Sequence, residues 1–193
     1  MNALYFKGDW KYQFDPKNTS ESFFTLENGH TKSIKMMSLK RTVHVADTEL
    51  FTAIRLPYGN GNIDLTLLMP AEGKNMNTLV NELSANRWER LQKEEFSERN
   101  VQFGLPRFTL NYEVYLNKTL QQMGLERAFT ASAELGKINP TARLQVGFVK
   151  QNTYLGVDET GTEAAAVTTI GVELTSLQPS YFFDRPFLFI IRE

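Results

Sequence analysis

Between residues 22 and 70, apolar positions occur in short runs that turn residues separate, which is the pattern of successive β-strands. The predicted strands cover residues 3–6, 23–26, 42–45, 51–56 and 65–69. Two turns, Glu27-Asn28-Gly29 and Gly59-Asn60-Gly61-Asn62, indicate hairpins, because Asn-Gly beside a β-rich run favours a tight turn. This part of the chain is therefore expected to be sheet.

Residues 74–99 change to a helical spacing, with apolar side chains mostly three and four positions apart among charged ones. These side chains are Met76, Leu79, Val80, Leu83, Trp88 and Leu91. The spacing predicts one or two amphipathic helices there, and a further helix over 111–123 that Gly124 would end. Between them, residues 101–105 alternate as a strand that Pro106 interrupts or bends.

The C-terminal part returns to β-type sequence. Residues 142–157 are β-rich, and residues 181–191 read as one phenylalanine-dense strand around Pro186. No internal repeat or linker separates these elements. Their balance predicts an α+β protein, mostly antiparallel sheet with about three helices.

Composition excludes several classes of protein. The 193-residue chain is 41% hydrophobic and 22% charged, which is typical of a globular protein rather than a disordered one. With 21 basic and 22 acidic side chains, the net charge is -1, which offers no field for binding nucleic acid or anionic lipid. No apolar run approaches the ~18 residues of a membrane span. The lack of cysteine excludes disulfides and thiolate metal sites.

The sequence also lacks the usual catalytic arrangements. His30 lies beside a turn and His44 in a strand, and neither belongs to an H-E-x-x-H helix. No Gly-x-Ser-x-Gly elbow is present for a hydrolase nucleophile. We therefore expect no enzyme, no cofactor and no metal site.

The most informative segment is 158–178. From Thr162 to Leu174, every second residue is small, β-branched or aliphatic, and none of these is charged. Alternation with period two buries one face of a strand, and this strand would be much longer than the usual five or six residues. Small residues at 164–166 would let it slide between two existing strands. A Gly/Ala-rich surface loop or an ordinary long strand explains the pattern equally well.

The sequence Glu159-Thr160-Gly161-Thr162-Glu163-Ala164-Ala165-Ala166-Val167-Thr168 resembles the hinge of the reactive-centre loop of serpins, the serine protease inhibitor family. Residues 2–10 resemble a strand and turn of the same family. Further matching segments follow in family order: Met36-Met37, Leu56-Pro57-Tyr58, Leu68-Met69-Pro70, Leu105-Pro106-Arg107-Phe108, residues 123–129 and Arg185-Pro186-Phe187-Leu188-Phe189. The resemblance covers nearly the whole chain, and a bacterial member of the family is the expected source.

This resemblance implies a serpin-like multi-sheet fold, present as a partial domain, with residues 1–193 as its C-terminal portion. The reactive-centre loop would span about 159–179. In serpins the scissile bond lies 14 residues beyond the hinge glycine, which here gives Thr175-Ser176. A target serine protease would form a covalent acyl-enzyme at this bond. It would then be trapped when the loop inserts into the central sheet of a metastable fold.

The resemblance assigns roles to neighbouring residues as well. The hinge would comprise Glu159, Gly161, Thr162, Glu163, Ala164, Ala165 and Ala166. Because Thr162 and residues 164–166 are compatible with strand entry, an inhibitor is expected. Specificity would come from Val172, Glu173 and Leu174. With the small, neutral Thr175, they favour broad inhibition of elastase-, subtilisin- and chymotrypsin-like proteases.

Three residues resemble positions where the central sheet opens. Trp10 resembles the family's tryptophan beneath the point of loop entry, and Asn2 the asparagine that holds the central strands near their opening. The usual partner of that asparagine is a histidine, whereas this sequence has Gln151. A glutamine can bridge by hydrogen bonds but does not titrate, so pH-dependent opening at this position is not expected.

Two other interpretations stay open. A non-inhibitory serpin, acting as a chaperone or carrier, would be cleaved without trapping the protease, and an unrelated β-rich binding module would not be cleaved in the loop. The resemblance also implies partners: target serine proteases from the family's mechanism and, from the family's length, a missing N-terminal half of the same serpin. A final strand is expected after Glu193, and a secreted, periplasmic or cell-surface location is expected from the family.

Overall fold

Most of the predicted strands form, and they lie in two sheets. The structure, a computed structural model, describes residues 2–6, 8–161 and 179–193. The strands are β1 (Asn2–Tyr5), β2 (Thr19–Thr25), β3 (Thr31–Asp47), β4 (Phe51–Tyr58), β5 (Ile63–Pro70), β6 (Ser97–Pro106), β7 (Phe108–Tyr115), β8 (Lys150–Val157), β9 (Ser180–Phe182) and β10 (Leu188–Arg192). The α-helices are α1 (Met76–Glu82), α2 (Ala85–Arg90) and α3 (Asn117–Leu120). Short 3-10 turns (Pro16–Asn18, Glu126–Phe129) and π-helical turns (Leu91–Glu95, Gln121–Leu125) complete the regular structure.

The chain divides into two compact units. The larger unit contains Gly8–Phe108 and Val157–Glu193, and the smaller contains Met1–Lys7 and Thr109–Gly156. In the larger unit a seven-stranded sheet has the order β10–β5–β4–β3–β6–β9, with β2 paired to β3. Its strand pairs are antiparallel except β6 with β9.

Part of this sheet is covered by the helical segment. Phe51, Ala53 and Leu68 are fully buried in one cluster with Leu79 of α1 and Leu91 of the following π-helical turn. Burying a large apolar side chain contributes about 1.5–3 kcal/mol to folding. The apolar side chains of this segment therefore pack against the sheet, as their helical spacing predicts.

Side-chain caps divide the helical segment into two helices. Asn75 Oδ1 accepts a 2.8 Å hydrogen bond from the backbone N of Thr78, and Ser84 Oγ accepts one of 3.2 Å from Arg87 N. Such caps contribute ~1 kcal/mol each. The prediction of one or two helices within 74–99 is confirmed as two.

Strand β3 is longer than predicted. Backbone pairing with neighbouring strands extends it beyond the residues whose apolar pattern predicts a strand. The prediction was limited to 42–45, whereas the strand runs for 17 residues from Thr31 to Asp47. Strand β2 pairs with residues 31–37 and β6 with residues 36–45. Its polar first half is thus held by backbone hydrogen bonds to neighbouring strands.

The smaller unit contains a three-stranded sheet in the order β1–β8–β7. Strand β1 pairs directly with β8, and the two strands are parallel. Their register places Asn2 opposite Gln151 and Tyr5 opposite Tyr154.

The helix predicted over 111–123 is wrong at its start, because β7 continues to Tyr115. Every second residue from Phe108 to Val114 is apolar, and this period-two pattern outweighs the helical spacing that follows it. Helix α3 is accordingly only four residues long. Gly124 follows in a π-helical turn with a φ of 97°, which is the backbone conformation that a glycine after a helix supplies.

Two other predictions are corrected at the C-terminal end. Of the β-rich segment 142–157, only the residues of β8 form a strand. The single strand predicted at 181–191 is instead two strands, β9 and β10, separated by residues that include Pro186. Proline lacks the backbone donor that a continuous strand needs, and the two strands pair with different neighbours, β6 and β5.

The mostly antiparallel strands and the three short helices confirm the α+β class. Within the described ranges, no helix combines the length and apolar character needed to span a membrane.

Candidate functional site

The candidate site is the segment from Asp158 to Gly161, which contains the first residues of the predicted loop. Asp158 Oδ1 accepts hydrogen bonds from the backbone N and the hydroxyl of Thr160, at 3.0 and 2.8 Å. The backbone N of Gly161 donates to Asp158 O at 3.4 Å. Aspartate side chains commonly close turns by bonding two residues ahead. The direction of the chain is therefore fixed immediately before residue 162.

Trp10 holds this turn from below with two hydrogen bonds. Its indole Nε1 donates to Asp158 O at 2.8 Å, and its backbone N donates to Thr160 O at 3.1 Å. Trp10 is 4% exposed, and its indole stacks on Tyr58 with ring centroids 4.3 Å apart. Phe14 packs edge-on against the same ring at 6.2 Å. Trp10 thus connects the turn to the aromatic core of the larger unit.

Burial also changes the acidity of Tyr58. Its side chain lies under Trp10, and this burial raises the pKa of the phenol above its ordinary value of 10.0. The neutral phenol is therefore the form that the folded core favours.

Glu159 is a buried acid whose charge is compensated by two partners. The residue is 8% exposed. Its Oε1 accepts a 2.8 Å hydrogen bond from the Thr19 hydroxyl, and its Oε2 lies 3.6 Å from Nη1 of Arg107. Its backbone oxygen accepts from Phe14 N at 2.9 Å. A buried carboxylate without such partners would be strongly destabilising, so these contacts specify the position of Glu159.

Gly161 lies where a side chain has no room. Its φ is 104°, in the left-handed region that favours glycine. A Cβ at this position would lie 2.4 Å from Gly8 O, 2.5 Å from Trp10 N and 2.6 Å from Asp9 Cα. All three atoms belong to backbone that cannot rotate away, so glycine is required both by conformation and by close approach.

The smaller unit contains the other predicted pair. Asn2 and Gln151 are opposite each other in the parallel register of β1 and β8. The structure therefore brings together Trp10, Glu159 and Gly161 in the larger unit and, separately, Asn2 with Gln151 in the smaller one.

The remaining predicted residues lie outside the described ranges. They are Thr162, Glu163, Ala164, Ala165, Ala166, Val172, Glu173, Leu174, Thr175 and Ser176. The long strand predicted over 162–174 lies there as well.

Sequence reasoning missed three contributors to this site: Asp158, Thr19 and Arg107. Asp158 could have been found from the Asp-x-Thr order, which favours a side-chain turn. Arg107 belongs to a matching segment, but no local pattern links it to Glu159. Thr19 carries no signal, because its role depends on a contact 140 positions away.

The described part of the chain offers no alternative metal centre. Within residues 2–6, 8–161 and 179–193, no three histidine, aspartate or glutamate side chains are grouped so that they could hold a metal ion. The contacts above hold the turn at residues 158–161 against the larger unit.

Comparison with known proteins places this arrangement in a family. A family model described as "Serpin (serine protease inhibitor)" matches residues 1–193. Serine protease inhibitor A3K of Mus musculus is 35% identical over an alignment of 195 residues that covers 99% of this chain and 46% of that protein. The chain spans about half the length of the relatives it matches.

Two solved structures share the fold. Mouse protein Z-dependent protease inhibitor matches with a TM-score of 0.82 and 30% identity, over 98% of this chain and 50% of its own. Human thyroxine-binding globulin, solved in complex with thyroxine, matches with a TM-score of 0.85 and 28% identity, over 97% of this chain and 50% of its own. These relatives come from mouse and human, so the bacterial source stays a prediction. Since the family match extends over every residue from 1 to 193, the chain belongs to the serpin family.

Proposed function

We propose that this chain carries the bait loop of a serine protease inhibitor that acts as a suicide substrate. The loop spans about 159–179, and the protease attacks the bond between Thr175 and Ser176. The serine oxygen of the protease adds to the carbonyl carbon of Thr175, the peptide bond breaks, and the amine of Ser176 leaves with a proton. The protease then remains bound as an ester of Thr175, and insertion of the loop prevents its hydrolysis.

The direct parallel pairing of β1 with β8 is the observation that carries this proposal. A segment that leaves the end of β8 and folds back runs antiparallel to β8. Because β1 is parallel to β8, the same segment would be antiparallel to both strands if it entered between them. Each of its backbone groups would then find a ladder partner on one side or the other.

The anchored start of the loop gives further support. Asp158 and Glu159 are held to the larger unit by the contacts of Trp10, Thr19 and Arg107. Gly161 is tied to this turn because its backbone N donates to Asp158 O. The conformational change is thereby restricted to the residues after Gly161. Insertion would bury the apolar set that includes Ile170, Val172 and Leu174, which contributes about 1.5–3 kcal/mol for each side chain.

Specificity follows from the side chains before the bond. Thr175 is small and neutral, which disfavours proteases that require arginine or lysine. Leu174 and Val172 offer adjacent bonds to chymotrypsin- and elastase-like enzymes. We therefore propose broad inhibition of elastase-, subtilisin- and chymotrypsin-like serine proteases.

The test is to mix the intact protein with elastase and with subtilisin and to separate the products on a denaturing gel. A covalent band at the combined mass of inhibitor and protease is expected. The band should disappear in Thr162→Arg, which places a long, charged side chain on the inserting face. Glu163→Arg is the matched control, since its side chain alternates to the opposite face, and it should retain the band. Complex formation by Thr162→Arg at the wild-type level would rule out insertion as the basis of trapping.

A non-inhibitory carrier or chaperone is the second candidate, because thyroxine-binding globulin shares the fold. The same gel separates the two. A clean cleavage product at Thr175-Ser176 without a covalent band is the result expected of the carrier.

A further inference from the structure

The strand that follows the loop is short and ends the strand order of the larger sheet. Strand β9 has three residues, and it pairs in parallel with residues 102–104 of β6. So short a strand forms few ladder hydrogen bonds, and parallel pairs are slightly less stable per residue than antiparallel ones. Backbone pairing alone therefore holds β9 weakly.

Contacts on either side of β9 strengthen its backbone attachment. Gln102 N donates to Pro179 O at 3.1 Å, and Phe183 N donates to Gly104 O at 2.9 Å. The Phe182 ring covers Gly104 so closely that a Cβ there would lie 2.3 Å from it. The middle residue of the strand, Tyr181, pairs with Phe103 in the backbone ladder, and its side chain adds a further contact.

That side chain reaches an acceptor at the end of β3. The Tyr181 hydroxyl donates a 2.7 Å hydrogen bond to Oδ2 of Asp47. The same oxygen accepts from Arg99 Nη1 at 2.7 Å, and Oδ1 accepts from the Thr52 hydroxyl at 2.9 Å. Thr52 of β4 and Arg99 of β6 thus orient the Asp47 carboxylate independently of Tyr181. Hydrogen bonds to an ionised acceptor are shorter and stronger than neutral ones.

We propose that Asp47 is a positioning residue that holds the C-terminal end of the bait loop through Tyr181. The inference rests on the proposed function for the identity of the loop and adds the group that fixes its far end. Tyr181 follows Ser176 by five positions, a span of at most about 18 Å in an extended chain. While Tyr181 is bound, the reactive bond cannot move farther than this from the sheet. The acceptor lies 134 positions earlier in the chain, on a different strand.

The test measures how often β9 opens in the intact protein, by hydrogen exchange of the Phe183 amide. Tyr181→Phe removes only the hydroxyl, and Asp47→Ala removes the acceptor. Each removes the hydrogen bond between Tyr181 and Asp47 and should speed this exchange about two- to tenfold, the effect of losing one hydrogen bond that holds β9. Asp47→Asn retains an oxygen acceptor and should restore part of the protection. Tyr112→Phe removes an exposed hydroxyl elsewhere and should leave the exchange unchanged.

The pair is also tested for coupling. The double variant of Tyr181→Phe with Asp47→Ala should exchange no faster than Asp47→Ala alone, because both changes remove the same contact. Wild-type exchange in Tyr181→Phe would overturn the inference. So would equal acceleration at Phe183 and at the amide of Ala53 in β4, since that result indicates a general loss of stability. No protease takes part, so the result is independent of whether the protein traps one.

Discussion

The indole Nε1 of Trp10 donates a 2.8 Å hydrogen bond to the backbone oxygen of Asp158, a residue 148 positions later in the chain. This bond joins the first residues of the larger unit to the turn from which the loop departs. The stacked Tyr58 ring continues the connection into β4. The turn at the start of the loop is consequently bonded directly to a buried part of the aromatic core.

Replacing Trp10 with phenylalanine should destabilise the protein by about 1–3 kcal/mol, because the Asp158 oxygen loses its indole donor in a part-buried place. The measurement is the free energy of unfolding in urea. Trp88→Phe is the matched control, since Trp88 is only partly buried against the core cluster. Equal losses in the two variants would contradict the importance assigned to the hydrogen bond.

Gly161→Ala should cost about 1–3 kcal/mol, because alanine must adopt a φ of 104° and its Cβ would meet three backbone atoms closer than 2.7 Å. Gly136→Ala is the comparison, since a Cβ there has nothing within 4 Å. The measurement is the free energy of unfolding of both variants in urea. A tolerated alanine at 161 combined with a costly one at 136 would reverse our assignment.

Glu159→Lys should be the most damaging exchange in the turn. It places a cation in a side-chain site only 10% exposed and opposite Arg107, and we expect a loss of about 2–4 kcal/mol in unfolding free energy. Glu159→Gln should lose less, because it can still accept from the Thr19 hydroxyl.

The control for this charge reversal is Glu134→Lys, which disrupts the 2.7 Å ion pair of Glu134 with Arg127 on the surface. Exposed pairs contribute between 0 and about 1 kcal/mol. Adding Arg107→Glu to Glu159→Lys should recover part of the lost stability. Similar effects at 159 and 134 would show that burial of Glu159 is energetically unimportant.

Alkaline pH should weaken the fold through Tyr58. Its pKa in the folded protein is raised above the ordinary value of 10.0, so the folded state binds the phenolic proton more tightly than the unfolded state does. The contribution is complete below pH 10 and is lost as pH rises toward the folded-state value. Tyr58→Phe should therefore flatten the fall in unfolding free energy above pH 10, as measured by urea titrations at several pH values. An unchanged slope would mean that Tyr58 is accessible to hydroxide in the folded state.

The sequence predicts those residues of the site whose type is itself informative, namely Gly161 and Trp10. A glycine between two threonines in the hinge pattern, and an aromatic residue ahead of the first large strand region, are both visible in the chain. The partners of Glu159 are not, because Thr19 and Arg107 come close to it only through the pairing of strands distant in sequence.

The fold divides in the same way. Strands β4 and β5 were predicted nearly to their ends, since their apolar patterns are continuous between turns. The first half of β3 was missed, because polar residues become a strand there only when β2 and β6 supply hydrogen bonds. The separation of β9 from β10 likewise depends on which neighbour each strand finds.

Because β1 pairs directly with β8, any strand that enters between them must first break hydrogen bonds before it forms new ones. At present the two strands share a single ladder. A third strand arriving between them would first require that ladder to open, and only afterwards would two new ladders form in its place. The overall hydrogen-bond count would rise, but its initial step would be a loss. Such an exchange would therefore have an energy barrier between the paired strands and the three-stranded product, even though the product has more backbone hydrogen bonds.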